Sequence, residues 1–323
     1  MKKERIRVGV IGVGHLGEYH VQKYKAIADV ELVGVVDTNR ERLKEIERLY
    51  HVKTYERHQD ILDKVDAVSL AVPTETHFDI ARDILSHKVH ILIEKPITYK
   101  LEDADNLLSL AKKNGLIIQV GLVERFNPAV IKMESLIKRP IFIESHRMNL
   151  FTIRGTDVDV VLDLMIHDLD IILHIVPSKI KDLHAVGMSV ITPKTDIANA
   201  RIIFEDGTVA NLTASRISGK MLRKIRVFQP HNYISADCGK RQISVIQLEN
   251  EVKDFNNFPQ VTTQKMNFPD SDPLADEVLS FVKCVRNGSD PVVTGSDGHK
   301  ALQVALAIIN QIQGGSKNFQ AIS

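Results

Sequence analysis

The sequence predicts an α/β protein of two domains: a parallel sheet covered by helices on both faces, then an α/β domain built on a mostly antiparallel sheet. Three observations carry this. Up to about residue 120, short apolar, β-branched runs alternate with helical stretches, the pattern of a parallel sheet. The first run ends in a glycine-rich turn, Gly12-Val13-Gly14-His15-Leu16-Gly17. From Ile180 onward the chain changes to β-rich segments separated by turns, and two helical stretches close it.

The strand Val8 to Ile11 leads into the G-x-G-x-x-G turn. Gly12 lets the chain reverse sharply, Gly14 lets backbone approach a pyrophosphate, and Gly17 lets helix and strand pack closely. Helix amides from His15 and Leu16 onward then point at the phosphates. A second apolar run, Glu31 to Val36, ends in Asp37, 20 residues after Gly17, where a ribose-binding acid belongs. Strand, turn, helix, strand and acid together predict a Rossmann dinucleotide-binding domain. Asp37 favours NAD over NADP, because a 2′-phosphate would set like charges about 4 Å apart at a cost of roughly 4 kcal/mol. Arg40 and Arg42 follow closely and work against that preference.

Asn39 to Tyr50 carries Leu43, Ile46 and Leu49 at helical spacing, and Lys53 to Tyr55 is a short strand. Asp66 to Val72 reads as a strand buried on both faces. Its end, Pro73-Thr74-Glu75-Thr76-His77, falls at the edge of the sheet where ligands bind. His77 has two even readings, a cofactor contact or a helix-start residue touching backbone. The strand His90 to Ile93 delivers Glu94-Lys95-Pro96 to the same edge, a place suited to chemistry. Leu101 to Lys113 is a helix stopped by Asn114-Gly115, and Ile117 to Gly121 is a sixth strand. The domains are therefore set at 1–121 and 122–323.

In the second domain Asn127-Pro128 opens a helix, and Ile141 to Leu150 reads as a strand. Five strands follow: Leu183 to Ile191, Ala198 to Phe204, Thr208 to Ser215, Ile225 to Phe228 and Ile243 to Leu248. Glu205-Asp206-Gly207 is a hairpin turn between two of them. Pro273 to Arg286 and Gly298 to Gln313 are the closing helices.

With 42 basic and 41 acidic side chains there is no long-range field to draw nucleic acid or anionic lipid, so neither partner is expected. The two cysteines, Cys238 and Cys284, have no metal or redox spacing and fit a reducing compartment. No apolar leader follows Met1, and no apolar run reaches membrane-spanning length. A soluble, cytoplasmic protein is the expectation.

A helix expected from Asp157 to Val176 carries Asp163, His167, Asp170 and His174 on one face, among Leu, Ile and Val. Buried polar groups must be paired or functional. The stripe is an internally paired Asp-His row, a metal site, or an acid-base pair in which a carboxylate four residues earlier orients an imidazole. No other His or Cys pair has matching spacing, so metal ranks last and no metal is expected. A redox cofactor in the first domain favours the acid-base pair.

These features together resemble the glucose-fructose oxidoreductase and inositol dehydrogenase family, Gfo/Idh/MocA. The motifs are the G-x-G-x-x-G, Ala71-Val72-Pro73-Thr74 with His77, Glu94-Lys95-Pro96, the Asp163 and His167 pair, and Phe281 to Gly288 followed by Gly295-Ser296-Asp297-Gly298. The resemblance implies a second domain with a large open sheet through which copies form a homodimer or homotetramer. It also implies hydride transfer between a hydroxyl and the nicotinamide, with Lys95 positioning the hydroxyl and His167 exchanging its proton. Many members have glycine before this histidine, where this chain has Ile166, which narrows the local space. Gly121 to Pro128 is similar to the branch acting on UDP-N-acetyl sugars, in which Arg125 and Asn127 would sit by the substrate. The expected substrate is thus a sugar or UDP-sugar, with C3 of UDP-N-acetylglucosamine the leading choice. Cyclitols, free sugars, and imine or double-bond reduction remain within the family. A non-catalytic NAD sensor is the rival class, although a sensor has no need of Lys95, Asp163 and His167 together.

Overall fold

The computed structural model describes residues 5–152, 158–248 and 261–314. The chain divides into two compact units, residues 1–123 with 272–302, and residues 124–271 with 303–323.

The first unit holds six strands: β1 (Ile6–Ile11), β2 (Val30–Val36), β3 (Thr54–Tyr55), β4 (Ala67–Leu70), β5 (His90–Glu94) and β6 (Ile118–Gly121). They pair in the order β3-β2-β1-β4-β5-β6, every pair parallel. The order reverses between β1 and β4, the crevice where dinucleotides bind in such sheets. Four helices connect the strands: α1 (His15–Ala26), α2 (Arg40–Tyr50), α3 (His77–Ser86) and α4 (Leu101–Asn114). Their ends follow local chemistry. Asn39 caps α2 by accepting from the Glu41 and Arg42 amides, and Gly115, at φ +66°, ends α4.

The first unit ends two residues beyond the expected 121, and the chain returns to it over residues 272–302. Val278, Phe281 and Val282 of a later helix, α7 (Pro273–Asn287), are buried in one core cluster with Val8, Val10, Val21 and Tyr24. Ion pairs from Lys23 to Asp272 (2.6 Å) and from Arg286 to Asp29 (2.8 Å) fasten both ends of that helix. Periodicity marks α7 as amphipathic but cannot say which core its apolar stripe faces.

The second unit is built on an eight-stranded sheet. Its strands are β7 (Phe142–Met148), β8 (Ile180–Met188), β9 (Ile197–Phe204), β10 (Val209–Ser215), β11 (Leu222–Gln229), β12 (Asn232–Asp237), β13 (Gln242–Leu248) and β14 (Val261–Asn267). They run in the order β14-β13-β12-β11-β7-β10-β9-β8, antiparallel except for β7 with β10. The turn at Gly207 (φ +89°) joins β9 to β10 as the sequence indicates. Two strands were not anticipated. The β11–β12 turn places His231 at φ +62°, a position where glycine or asparagine normally announces a hairpin, and the mostly exposed β14 lacks apolar alternation.

The remaining helices are α5 (Pro128–Leu136), α6 (Ile166–Ile175) and α8 (Gly295–Ile312). Asp157, the expected start of the Asp-His helix, lies outside the described residues. That helix is not uniform, because Val161–Met165 forms a π-helical turn ahead of α6. Among the described residues no helix is long and apolar enough to cross a membrane.

Candidate active site

In the first unit the glycine turn opens onto a groove of ≈ 490 Å³ lined by Gly12, Gly14, Asp37, Val72, Pro73 and Thr76, among others. The three glycines have separable reasons. A Cβ on Gly17 would meet the Gly12 carbonyl oxygen at 1.8 Å, and one on Gly12 (φ +84°) would meet the Ala71 carbonyl oxygen at 2.5 Å. A Cβ on Gly14 would meet nothing within 4 Å, so it would project into open space where phosphates approach. Gly14 also starts α1 without a side-chain cap, and His15 and Leu16 stand exposed at that helix start. The turn suits an anion at the helix N-terminus.

Asp37 closes the groove at the end of β2. Its two oxygens accept from the Val13 and Asn39 amides, each at 2.9 Å, which fixes the carboxylate. Both neighbouring arginines are engaged by acids: Arg42 pairs with Glu18 and Glu45 and donates to the Val13 carbonyl (2.7 Å), and Arg40 pairs with Glu56 (2.9 Å). Arg57, His58 and Gln59 also line the groove. The sequence gives no sign of them, because a short 3₁₀ turn (His58–Asp60) brings them there.

His77 touches backbone with both ring nitrogens. It is 1% exposed, with Nδ1 2.9 Å from the Pro96 carbonyl oxygen and Nε2 3.0 Å from that of Val72. Burial holds its pKa below the ordinary histidine value despite those carbonyls. It ties the ends of β4 and β5 together from behind. Thr74 is half-buried at the start of the intervening turn. At the end of β5, Glu94 is buried and Lys95 half-buried. The Lys95 amide donates to Glu94 Oε2 (3.3 Å), and the Lys95–Pro96 peptide is cis.

In the second unit the Asp-His stripe divides. Asp170 is buried against Arg125 (3.3 Å), and His174 is exposed and paired with Glu134 (2.6 Å). Asp163 and His167 remain half-buried while Leu162, Leu164, Met165 and Ile166 around them are buried. Asp163 lies in the π-helical turn and His167 in the first turn of α6, a kind of irregularity frequent at functional sites.

Arg125 is 5% exposed and donates to Asp170. Asn127 is buried and hydrogen-bonded within the unit. Its Oδ1 caps α5 by accepting from the Ala129 amide (3.1 Å), and its Nδ2 donates to Glu124 Oε2 (3.0 Å) and the Cys238 carbonyl (2.9 Å). Sequence reasoning missed the centre of this network, Arg147 on β7. Its guanidinium donates to Asp168 Oδ1 (2.6 and 3.1 Å) and Glu124 Oε1 (2.8 Å), all buried. Burial alone would raise the Glu124 pKa, but the Arg147 charge and hydrogen bond hold it below the usual carboxylate range. Burial pushes the nearby Cys238 thiol well up, so it stays protonated, consistent with an inert cysteine.

Residues 6–122 match the oxidoreductase family with an NAD-binding Rossmann fold, GFO_IDH_MocA. The chain is 35% identical to the UDP-N-acetylglucosamine 3-dehydrogenase of Acidithiobacillus ferrooxidans over 94% of this chain and 96% of that one. A solved structure of the Acidithiobacillus ferrooxidans enzyme superposes with a TM-score of 0.89 at 34% identity, covering 97% of this chain and 99% of the other. The myo-inositol 2-dehydrogenase of Thermotoga maritima is 26% identical over 94% of this chain and 95% of its own length.

Proposed function

Because the chain belongs to the Gfo/Idh/MocA family of NAD-binding oxidoreductases, we propose that it oxidises the C3 hydroxyl of UDP-N-acetylglucosamine with NAD. The observation that carries the substrate is the 35% identity across nearly the whole length of a UDP-N-acetylglucosamine 3-dehydrogenase. The glycine turn, the open space at Gly14 and the fixed Asp37 fit a dinucleotide, which when bound accepts the hydride. Lys95 holds the reacting hydroxyl and stabilises developing alkoxide, His167 takes its proton, and Asp163 orients the imidazole. NAD reduction measured against UDP-N-acetylglucosamine, other UDP-sugars, free sugars and cyclitols tests the assignment. Turnover of a cyclitol in preference to every UDP-sugar would overturn it.

The reading of NAD rather than NADP is supported by a carboxylate at the end of β2 whose neighbouring arginines are paired with acids. Asp37→Ala is expected to narrow the kcat/KM ratio of NAD to NADP at least about tenfold, a modest part of the like-charge penalty. An unchanged ratio counts against the role of Asp37. Arg125 is proposed to bind the UDP moiety. Arg125→Lys keeps a cation beside Asp170 but loses the planar fork. It should raise the KM for the UDP-sugar about tenfold, equivalent to roughly 1.4 kcal/mol, with the Kd for NAD unchanged. Equal loss of both would show a purely architectural residue.

Association of copies through the second-unit sheet is proposed from exposed apolar side chains on β8, Val186 (69%) and Met188 (63%), and is read by sedimentation. Two free, buried cysteines support a reducing, cytoplasmic setting.

A further inference from the structure

Behind Lys95, inside the first unit, lies a buried acid cluster that the proposed chemistry does not use. One ring nitrogen of His20 and one carboxyl oxygen each of Glu94 and Glu277 lie within 4.8 Å of one another. His20 and Glu277 are fully buried, and Glu94 is 8% exposed. The groups facing the cluster are His20 and Tyr24 from α1, Ser69 from β4, Glu94 from β5, Gln119 from β6 and Glu277 from α7. His20 is the one basic side chain among them.

Hydrogen bonds link most of these groups in one chain. Tyr24 OH lies 2.7 Å from Ser69 Oγ, which lies 3.1 Å from His20 Nδ1, and His20 Nε2 lies 3.0 Å from Glu94 Oε1. With Tyr24 and Ser69 as successive donors into Nδ1, one assignment of this chain has Nε2 donating to Glu94. The other oxygen of Glu94 accepts the Lys95 amide. Gly121 makes room for it, since a Cβ there would meet Glu94 Oε2 at 2.8 Å. Among the described residues neither oxygen of Glu277 has a hydrogen-bond partner, although both are buried. Burial, then the Glu94 charge, pushes its pKa well above the ordinary glutamate value.

We propose that Glu277 is a positioning residue for Lys95: buried and unpaired within 4.8 Å of His20 and Glu94, it packs against Glu94 and through it holds the Glu94-Lys95 corner. The proposal rests on the role given to Lys95 above, and its test separates the two. Glu277 stays protonated in the native state but ionises when unfolded, so wild-type stability falls as pH rises from about 4.3 towards the raised native value. Glu277→Gln has no such proton. The ratio of wild-type to variant unfolding constants should therefore climb about tenfold per pH unit across that window, and parallel curves from pH 5 to 8 overturn the proposal.

Positioning is read without substrate from hydrogen exchange at the Lys95 amide. It should quicken in Glu277→Leu and be restored in Glu277→Gln, with kcat falling about tenfold and recovering in the same order. Identical exchange in all three proteins overturns the positioning role. If Glu277→Leu does not fold, Glu277→Gln still decides the proton. A stoichiometric divalent cation that survives chelation in wild type and is lost from Glu277→Gln would put a metal where the proton is assigned, and would also overturn the proposal. Restored exchange without oxidation of any UDP-sugar leaves this inference standing and removes the substrate assignment instead.

Discussion

His167→Ala is expected to lower kcat for UDP-N-acetylglucosamine oxidation by about 10²- to 10⁴-fold, the range for loss of a positioned general base, while NAD binding is unchanged. Hydride leaves a carbinol carbon only as the hydroxyl proton departs, so the proton acceptor is part of the barrier. His167 suits this task because it is half-buried in the first turn of α6, with Asp163 four residues earlier in a π-helical turn. Lys95→Ala should fall in the same range through loss of alkoxide stabilisation. Asp163→Asn should be milder and non-additive with His167→Ala if it acts only through the imidazole. Single-turnover NAD reduction at saturating substrate separates these outcomes from product release. A His167→Ala rate within about threefold of wild type, far below the general-base range, would return the residue to a packing role.

The largest expected loss of stability belongs to Arg147→Met, at about 3–5 kcal/mol, because removing one member of a buried ion cluster strands its partners. Here the partners are Asp168 and Glu124, both buried. The pH dependence carries the sign. In wild type the Glu124 pKa lies below its unfolded value, so its contribution is complete above about 4.3 and fades as pH falls through the depressed native value. Without Arg147 the stranded acids favour protonation, so the variant should gain more stability than wild type on mild acidification, the Glu277 contribution being common to both. Urea denaturation of both proteins between pH 5 and 8 checks this, and parallel curves would mean that the variant's carboxylates find other compensation.

How much was legible in the sequence depended on how local the cause was. The glycine turn, Asp37 at a strand end and the alternation of strands with helices are written in neighbouring residues, and the structure places them as expected. The Asp-His stripe was visible as a pattern, but its partners were not. Arg125 and Glu134 lie 45 and 40 residues from the side chains they meet, and periodicity carries no information at that range. Arg147 was missed because a lone arginine on a strand looks like an outward-facing charge until its partners are located. His77 illustrates the reverse: a motif residue beside a ligand edge whose nitrogens are both engaged by backbone carbonyls.

The return of α7 to the first unit also orders events during synthesis. The cofactor-binding half of the chain emerges first, yet Val278, Phe281 and Val282, which share its core, come about 150 residues after its last strand. Until they arrive, the apolar faces of Val21 and Tyr24 lack their cover, and exposed apolar surface of that kind makes a growing chain prone to aggregate or to be held by chaperones. A ribosome stalled before Asp272 would therefore present an NAD-binding unit that is nearly complete in length but still open at its core.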